Sequence, residues 1–335
     1  MKEEIQIMKA VSIKNPGGSE ALEIQEKPIP EAKEGQLLVK VKASAINRTD
    51  IMTRENKQLS KPYPILGVEV AGVVIENNSV NHKELVPGTR VAGLVNHGGY
   101  AEYVAMPSDR AIIIPDNMSD EEAAAIPEVF LTAYQTLYWL GNLKPEETVL
   151  IHAGASGVGT AAIQLAKKMT KAQVIVTAGS DEKLQFCKEL GADKLINYKE
   201  EEFDQIVLDY TEQKGVDLIL DFIGASYWEK NFNSIKTDGR WIVIGVLGGA
   251  IVENVNLGML LQKRITLKGT LLTPRSDEYK AQLTNEFIEN IMPYFEKKLI
   301  KPIVDTTFML EDVAKAHRYM EESKNTGKII LKIEE

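Results

Sequence analysis

The chain has 335 residues, of which 44% are hydrophobic and 26% charged, a composition typical of globular proteins with enough apolar material for a core. This length predicts two domains, because a single domain usually spans about 100–200 residues. A formal net charge of -9 argues against a non-specific nucleic-acid binder, whose surface would be basic. No apolar run reaches the roughly 18 residues that a membrane-spanning helix needs, so we expect no membrane span.

The chain contains one cysteine, Cys187, and therefore no intrachain disulfide. We predict that Cys187 lies within a helix as a buried structural thiol. The N-terminus carries Lys2, Glu3 and Glu4 and no apolar segment of signal-peptide length. Together these features lead us to expect a cytoplasmic protein.

From Met8 to about Asn117, short runs of strand-forming residues are separated by glycine, proline and asparagine. Many short strands at this spacing predict a compact β-barrel or sandwich. The clearest strand candidates are Gln36–Lys42, Val68–Ile75, Thr89–Leu94 and Ala111–Ile114.

From about Pro127 to Thr270, apolar runs of strand length alternate with segments of helical period. Six strands joined by crossover helices predict a doubly wound parallel sheet. The predicted strands are Thr148–Ala153, Gln173–Ala178, Lys194–Asn197, Asp217–Asp221, Arg240–Gly245 and Ile265–Gly269.

The last part of the chain returns to the character of the first. A long amphipathic helix is predicted near Asp277–Lys298, followed by a strand at Pro302–Thr307, a helix at Leu310–Ser323 and a strand at Gly327–Ile333. We therefore predict a β-rich domain formed by residues 1–127 and 274–335. A dinucleotide-binding domain, residues 128–273, is inserted into it.

The segment His152-Ala-Gly-Ala-Ser-Gly-Val-Gly159 lies between the first predicted strand of the sheet and the first helix. A turn into a helix N-terminus offers unpaired N–H groups and a partial positive charge, which together bind pyrophosphate. The dinucleotide spacing G-x-G-x-x-G falls on Gly154, Ser156 and Gly159, so serine replaces the middle glycine. The segment alone could be a structural turn, but its place at the head of an alternating sheet favours a dinucleotide.

The end of the second predicted strand indicates which dinucleotide is bound. NAD-binding sheets usually place an acidic residue about 20 residues beyond the glycines, where it holds the ribose hydroxyls. Here Gly179 and Ser180 end the strand and Lys183 follows one turn later, a set that suits the 2′-phosphate of NADP. Lys183 could also be a solvated helix residue, and an inward-pointing Asp181 would favour NAD.

The sequence predicts no metal site. Catalytic zinc needs about three converging Cys, His or carboxylate ligands, whereas the histidines at positions 82, 97, 152 and 317 are scattered over different predicted elements. No Cys-x-x-Cys or His-x-x-x-His pair occurs in the sequence.

Several stretches of the sequence form a combination typical of one family. They are Ala45-Ile-Asn-Arg-Thr-Asp50, Ile65–Gly72, Gly98–Val104, Ala124–Ala133, the glycine loop and Asn325–Ile330. Together they resemble the zinc-independent quinone oxidoreductases of the medium-chain dehydrogenase/reductase superfamily, and among them the stress-inducible NADPH:quinone reductases of animals. Zinc members of the superfamily carry cysteine near position 45 and Gly-His-Glu at the place of Gly67-Val68-Glu69.

The resemblance implies a GroES-like β-barrel domain with an inserted Rossmann domain, a homodimer, and NADPH-dependent reduction of quinones or related enones. It also implies a role for residues at matching positions. Asn47 is expected beside the nicotinamide and its carboxamide, Thr132 near the cofactor from the domain junction, and Asn325 as a residue that reaches in from the last segment. Those expected to line the nicotinamide half are Phe222, Ile223, Val246, Leu247 and Leu271. Those expected at the pyrophosphate are Ser156, Gly157, Val158 and Gly159, and those at the 2′-phosphate side are Gly179, Ser180, Lys183 and Tyr198.

One departure puts the substrate in doubt. The relatives carry a tyrosine about ten residues after Asn-x-x-Asp, and Gln58 stands at that spacing here. Tyr63 lies close by and could replace the tyrosine, although a tyrosine between two prolines is as easily a packing residue. We therefore take Asn47 and Tyr63 as candidates for stabilising the anion left by hydride transfer, with solvent as the other proton source.

Two alternatives remain open, and a third is disfavoured. The substrate could be an alkenal or another enone rather than a quinone. The protein could also bind NADPH without turning it over. A short-chain reductase would need Tyr-x-x-x-Lys, and Tyr210-Thr-Glu-Gln-Lys214 has that spacing; its place on a predicted crossover helix makes this a coincidence.

Overall fold

A computed structural model describes residues 6–334. The chain divides into two compact units. One, the continuous unit, is Thr132–Leu272. The other, the discontinuous unit, combines Met1–Leu131 with Thr273–Glu335. The first five residues, which include the predicted charged N-terminus, lie outside the described residues.

The first segment of the discontinuous unit is dominated by strands. They are β1 (Ile7–Ile13), β2 (Leu22–Pro28), β3 (Gln36–Ala45), β4 (Glu69–Asn77), β5 (Arg90–Leu94), β6 (Tyr103–Pro107) and β7 (Ala111–Ile113). Its helices are α1 (Arg48–Glu55) and α2 (Asp120–Ala124). Helix α3 (Pro127–Tyr134) begins in this segment and continues into the other unit, where a π-helical segment, Gln135–Leu140, extends it.

The continuous unit alternates strands and helices. Its strands are β8 (Thr148–Ile151), β9 (Gln173–Ala178), β10 (Lys194–Asn197), β11 (Val216–Asp221), β12 (Ile235–Val243) and β13 (Thr266–Gly269). Its helices are α4 (Gly157–Leu165), α5 (Asp181–Glu189), α6 (Phe203–Tyr210), α7 (Trp228–Ser234) and α8 (Leu257–Lys263).

The final segment completes the discontinuous unit. Its elements are α9 (Asp277–Asn290), α10 (Met292–Glu296), β14 (Val304–Met309), α11 (Val313–Glu321) and β15 (Lys328–Lys332). The prediction of a single long helix in this segment was wrong. Pro293 has no N–H to donate, and within a continuous helix its ring would clash with a carbonyl one turn earlier. α9 therefore ends at Asn290, and Pro293 lies in the first turn of α10.

The sheet of the discontinuous unit joins both of its segments. Its order is β14-β15-β3-β4-β5-β7, with β6 also paired to β3, while β1 and β2 form a separate antiparallel pair. β15 runs antiparallel to β3, with Ile330 opposite Ala45. In β3, buried Leu37, Val39 and Val41 alternate with more exposed residues, as expected for a strand with one face on a core.

The six-stranded sheet of the continuous unit confirms the predicted doubly wound fold. All neighbouring strands are parallel in the order β10-β9-β8-β11-β12-β13. The chain order reverses between β8 and β11, and ligands of such sheets bind at the carboxyl ends of the strands beside this reversal.

Cys187 is buried in α5, as predicted. Within residues 6–334, no helix is both long enough and apolar enough to cross a membrane.

Candidate active site

The glycine loop connects β8 to α4 and has the geometry of an anion-binding turn. Ser156 is the N-cap of α4, and its Oγ accepts a hydrogen bond from the Gly159 N–H at 3.1 Å. This explains the serine at the middle glycine position, because serine is a preferred N-cap. The N–H groups of Gly157 and Val158 begin the helix, where intrahelical acceptors do not exist. They are available to a phosphate at this end of the sheet.

Two glycines of the loop have no room for a side chain. A Cβ on Gly159 would lie 2.6 Å from the Gly154 carbonyl oxygen and also against that of Ala153. A Cβ on Gly154 would lie 2.9 Å from Cβ of Val176 in β9. The glycines thus allow the close contact of helix, loop and strand that a dinucleotide site of this type needs.

The strand ends and helices next to the glycine loop are connected by a buried polar network. His152 Nε2 lies 2.7 Å from Oδ1 of Asn231, whose amide nitrogen donates to Asp221 at 3.1 Å. His152 Nδ1 lies 2.9 Å from the Thr177 hydroxyl. Burial lowers the pKa of His152, so the ring is neutral and links β9 to α7. The indole of Trp241 also donates to Asp221, at 3.0 Å.

Asp181 is held by a neighbouring strand. Its Oδ1 accepts a hydrogen bond from the side-chain amide of Asn197, at the end of β10, at 3.2 Å. Ser180 is the N-cap of α5, and its hydroxyl accepts from the Lys183 N–H at 3.3 Å. The direction of the Asp181 side chain bears on the choice between NAD and NADP, and this side chain is hydrogen-bonded to β10.

Tyr198 and Lys199 lie over Gly179. A Cβ on Gly179 would be 2.7 Å from the Tyr198 hydroxyl and 3.2 Å from Lys199 Cε. The structure thus places Tyr198 beside Gly179 and Ser180, and adds Lys199, which the sequence analysis did not name. The feature of the sequence that indicates Lys199 is its position as a second cation, directly after Tyr198.

The loops after β11 and β12 are bonded to each other. The N–H of Leu247 donates to the Phe222 carbonyl at 3.1 Å, and the N–H of Gly248 donates to that of Ile223 at 2.7 Å. Val246 and Leu247 are 49% and 61% exposed, so two large apolar side chains are presented to solvent here. Four of the residues expected at the nicotinamide half thus lie together at the carboxyl end of the sheet.

The remaining expected residues belong to other elements of the chain. Leu271 follows β13 and is 58% exposed. Thr132 is buried in α3, and its carbonyl accepts from the Thr136 hydroxyl at 2.7 Å. Asn325 belongs to the discontinuous unit, where its amide nitrogen donates to the Gly327 carbonyl at 2.7 Å. Asn47 and Tyr63 belong to that unit as well.

Asn47 is the centre of a buried polar cluster in the discontinuous unit. Its amide nitrogen donates to Glu69 Oε1 at 2.8 Å and to the Ala45 carbonyl at 3.3 Å. Lys328 donates to Asn47 Oδ1 at 2.7 Å and forms an ion pair with Glu69 at 2.8 Å. Because lysine only donates and an ionised carboxylate only accepts, the orientation of the amide is fixed. Both amide hydrogens are committed, so Asn47 can offer a ligand only its oxygen.

Glu128 extends this cluster at the start of α3. Its backbone N–H donates to the second oxygen of Glu69 at 2.7 Å. Burial, and next the negative charge of Glu69, raise the pKa of Glu128 to about 8. The sequence analysis missed Glu69, Glu128 and Lys328. The signal for Glu69 and Lys328 was a charged residue within an apolar strand.

A second buried chain of hydrogen bonds runs through the same unit. Tyr100 donates to Asp50 at 3.0 Å, and its hydroxyl lies 3.3 Å from His317 Nε2. Arg54 Nη1 lies 3.2 Å from His317 Nδ1. Because arginine only donates, Nδ1 accepts and Nε2 carries the proton. Burial raises the pKa of Asp50 to about 6, and the chain connects α1 to α11.

Tyr63 is half-buried and packs against the apolar core of the discontinuous unit. The Lys61 ammonium lies 5.7 Å from the centroid of its ring. Gln58, at the spacing of the family's tyrosine, is exposed, and its backbone N–H donates to Asn56 at 3.0 Å. Tyr210 donates to Gln173 at 3.0 Å, which is a role within the sheet unit.

The sequence of the β-rich unit is interrupted by a six-stranded parallel sheet that carries a phosphate-binding type of glycine loop. This arrangement defines a two-domain dehydrogenase/reductase. The zinc-binding dehydrogenase family matches residues 157–289, and the alcohol dehydrogenase GroES-like domain matches residues 33–116. The chain belongs to the medium-chain dehydrogenase/reductase superfamily and has quinone oxidoreductase-like relatives. Among residues 6–334, no group of three or more His, Cys, Asp or Glu side chains is placed to hold a metal ion.

Three comparisons illustrate the relationship. The mouse synaptic vesicle membrane protein VAT-1 homolog-like is 31% identical over 99% of this chain and 82% of its own length. The 2-methylene-furan-3-one reductase of Solanum lycopersicum is 30% identical over 97% of this chain and 79% of its own. The structure of Escherichia coli quinone oxidoreductase complexed with NADPH is 30% identical, with a TM-score of 0.86, and covers 97% of this chain and 99% of that one.

Proposed function

We propose that the protein is an NADPH-dependent oxidoreductase that reduces a quinone or a related enone without a metal ion. The observation that carries this proposal is that the Ser156-capped loop and Lys199, beside Gly179, lie at the same end of the parallel sheet. A pyrophosphate and a 2′-phosphate are the two anions that such an arrangement suits.

Three features of the continuous unit support NADPH over NADH. Lys199 lies over Gly179 and Lys183 is in the first turn of α5, directly after β9, and cations at this place suit a 2′-phosphate. Asp181, the acidic side chain that would hold a bare ribose, is bonded to Asn197. Titration of the protein with NADPH and NADH, followed by nicotinamide fluorescence, tests this choice, and equal affinities would contradict it.

When bound, NADPH supplies a hydride, and the chain must position the acceptor and exclude water. The exposed apolar side chains of Val246 and Leu247 can cover a nicotinamide ring from the sheet unit. The Asn47 amide oxygen, whose orientation Lys328 fixes, is an acceptor of the kind that suits the amide hydrogens of a carboxamide. In this proposal Asn47 accepts from the cofactor, and the anion formed on the substrate obtains its proton from another group.

The substrate class rests on the relatives. One is named a quinone oxidoreductase and another a reductase of an enone, 2-methylene-furan-3-one. Both substrates accept a hydride at carbon or oxygen conjugated to a carbonyl group. We therefore propose a conjugated carbonyl compound as substrate.

The assay uses the purified chain with NADPH and either phenanthrenequinone or methyl vinyl ketone, with a chelator present throughout. We expect NADPH oxidation with at least one acceptor and no loss of rate in the chelator. Tight NADPH binding without turnover of either acceptor would instead favour a binding protein that does not turn the cofactor over.

We further propose a cytoplasmic homodimer. The support for the dimer is β13, an edge strand of the six-stranded sheet in which every residue is exposed. Large apolar side chains nearby are also exposed, including Leu257 at 65% and Leu261 at 79%. Unpaired strand edges and apolar patches are surfaces that proteins usually cover. Light scattering after size-exclusion chromatography tests the dimer, and a monomer mass would contradict it.

A further inference from the structure

The turn after β10 lies against the end of β9, the place at which sheets of this type hold the ribose of a dinucleotide. Gly179 lies about 20 residues beyond Gly159, where NAD-binding sheets usually carry an acidic side chain. A Cβ at Gly179 would be 2.7 Å from the Tyr198 hydroxyl and 3.2 Å from Lys199 Cε. Side chains of the turn after β10 therefore approach the place that this acidic side chain would take.

Asn197 is the last residue of β10 and is 6% exposed. Its side-chain oxygen accepts a hydrogen bond from the Lys199 N–H at 3.2 Å, which is the turn that asparagine commonly forms with the backbone two residues on. Its side-chain nitrogen donates to Asp181 Oδ1 at 3.2 Å. Because a backbone N–H only donates and an ionised carboxylate only accepts, the orientation of the amide is fixed. One amide thus binds both the turn that carries Lys199 and the carboxylate at the start of α5.

The backbone of Asn197 fixes the position of this amide. Its N–H donates to the Glu201 carboxylate at 2.8 Å. Its carbonyl accepts from the N–H groups of Glu200 and Glu201 at 3.0 and 2.9 Å. Across the two strands, Asn197 is paired with Ala178, the residue before Gly179. The amide therefore has a defined place between the turn after β10 and the first turn of α5.

We propose that Asn197 is a positioning residue that sets the preference for NADPH over NADH. This inference rests on the proposed function, because it concerns the cofactor assigned there. By binding the Asp181 carboxylate, the Asn197 amide keeps it from accepting hydrogen bonds from ribose hydroxyls and from repelling a 2′-phosphate. By closing the turn, the same amide holds Lys199 beside Gly179, where a cation suits that phosphate.

The residues most similar to asparagine in size or hydrogen bonding make only one of the two contacts. Aspartate keeps an acceptor for the Lys199 N–H but sets a second carboxylate against Asp181, and two like charges disfavour each other. Serine forms the same kind of turn more weakly and has no amide nitrogen to donate to Asp181. Both substitutions therefore release Asp181 and keep an acceptor for the turn, one with an added charge and one without.

The test measures the affinities of the full chain for NADPH and NADH by nicotinamide fluorescence. It compares the wild type with Asn197→Asp, Asn197→Ser and the control Asn233→Ser, which removes an amide–carboxylate hydrogen bond of 2.9 Å to Asp204 elsewhere in the same unit. The ratio of NADPH to NADH affinity should fall at least about tenfold in N197D, as expected for one hydrogen bond to a charged group. N197S should lower the ratio in the same direction, and N233S should keep the wild-type ratio.

A change at Asp181 separates its role from that of the turn. Asp181→Ala alone should leave the NADH affinity unchanged, because Asn197 already holds the wild-type carboxylate away from the ribose. N197S should then lower the ratio less in the D181A background than in the wild type, since no carboxylate is left to release. Such a difference between two backgrounds measures the coupling of the two side chains.

A second readout is confined to the adenosine end of the cofactor. The probes are 2′,5′-ADP and 5′-AMP, which differ in the 2′-phosphate. At equal concentrations, 2′,5′-ADP should raise the Tm of the wild type more than 5′-AMP does, because tighter binding to the folded state gives more stabilisation. This difference should shrink in N197D and N197S and persist in N233S. The Tm without ligand shows whether each variant folds.

The outcomes separate the two proposals. An unchanged ratio in folded N197D and N197S would overturn the role of Asn197 and leave the choice of NADPH standing. Equal losses of affinity for both cofactors would assign Asn197 a purely structural role and would also overturn it. A fall in NADH affinity in D181A, or the same effect of N197S in both backgrounds, would contradict the action through Asp181. Equal affinities of the wild type for NADPH and NADH would remove the proposed cofactor preference and this role together.

Discussion

Lys328 donates to Asn47 Oδ1 over 2.7 Å, which joins residues 281 positions apart in the chain. The same ammonium donates to the Ile46 carbonyl at 2.9 Å and pairs with Glu69 at 2.8 Å. Lysine has three N–H donors, and all three of this ammonium group have acceptors inside the fold. It neutralises Glu69 and fixes the orientation of the Asn47 amide.

Replacing Lys328 by methionine should destabilise the protein strongly. The change leaves Glu69, which is fully buried, without its counter-charge, and breaking a buried ion pair in this way typically costs about 3–5 kcal/mol. Lys332→Met is the matched control, because Lys332 lies in the same strand with a side chain 42% exposed. Its effect should stay within about 0.5 kcal/mol. Urea unfolding measures the free energy of unfolding of both variants. Equal losses would show that the buried ion pair contributes no more to stability than an exposed lysine does.

Lys199 should contribute to the choice of cofactor. Its side chain lies over Gly179, and a hydrogen bond to a charged group typically contributes about 1.5–3 kcal/mol. We expect Lys199→Met to weaken NADPH binding at least about tenfold, since 1.4 kcal/mol is a factor of ten, and to leave NADH binding unchanged. Lys188→Met, an exposed position on α5, is the control. Equal losses for NADPH and NADH would argue against a contact with the 2′-phosphate.

Glu128 should also make the stability of the protein depend on pH. Its pKa rises from 4.5 to about 8 on folding, so folding favours the protonated form. Its contribution to stability is fully present below pH 4.5 and is lost as the pH rises through about 8. Stability of the wild type relative to E128Q should therefore fall across this range. Denaturant unfolding at several pH values measures the difference, and a constant difference would contradict the raised pKa.

The sequence predicted the continuous unit well because its pattern is local. Each strand is an apolar run followed by a helical segment, and the glycine loop lies at the head of this series. The positions of Ser156, Gly159 and Gly179 follow from that order alone, since the carboxyl ends of parallel strands meet at one edge.

The cluster in the discontinuous unit was missed because its members meet through distant pairings. Glu69 lies in β4 and Lys328 in β15, and both strands pair with β3. A charged residue in a strand commonly faces solvent, so neither residue indicates burial by itself. Only the sheet order places them beside Asn47. The break after α9 has a local cause, because Pro293 by itself prevents one continuous helix.

Gly159→Ala tests the glycine loop itself. The new Cβ would meet the backbone oxygens of Ala153 and Gly154, the latter at 2.6 Å, and backbone atoms cannot turn aside as a side-chain end can. We expect a loss of stability of about 1–3 kcal/mol, as for other overpacked sites, and a loss of NADPH binding larger than unfolding explains. Gly17→Ala is the control, since a Cβ there would be 3.8 Å from its nearest neighbour, the Asn15 carbonyl oxygen. NADPH fluorescence below the unfolding temperature separates the two effects. Wild-type affinity in a folded G159A would mean that the close approach of α4 to this loop is not needed to hold the pyrophosphate.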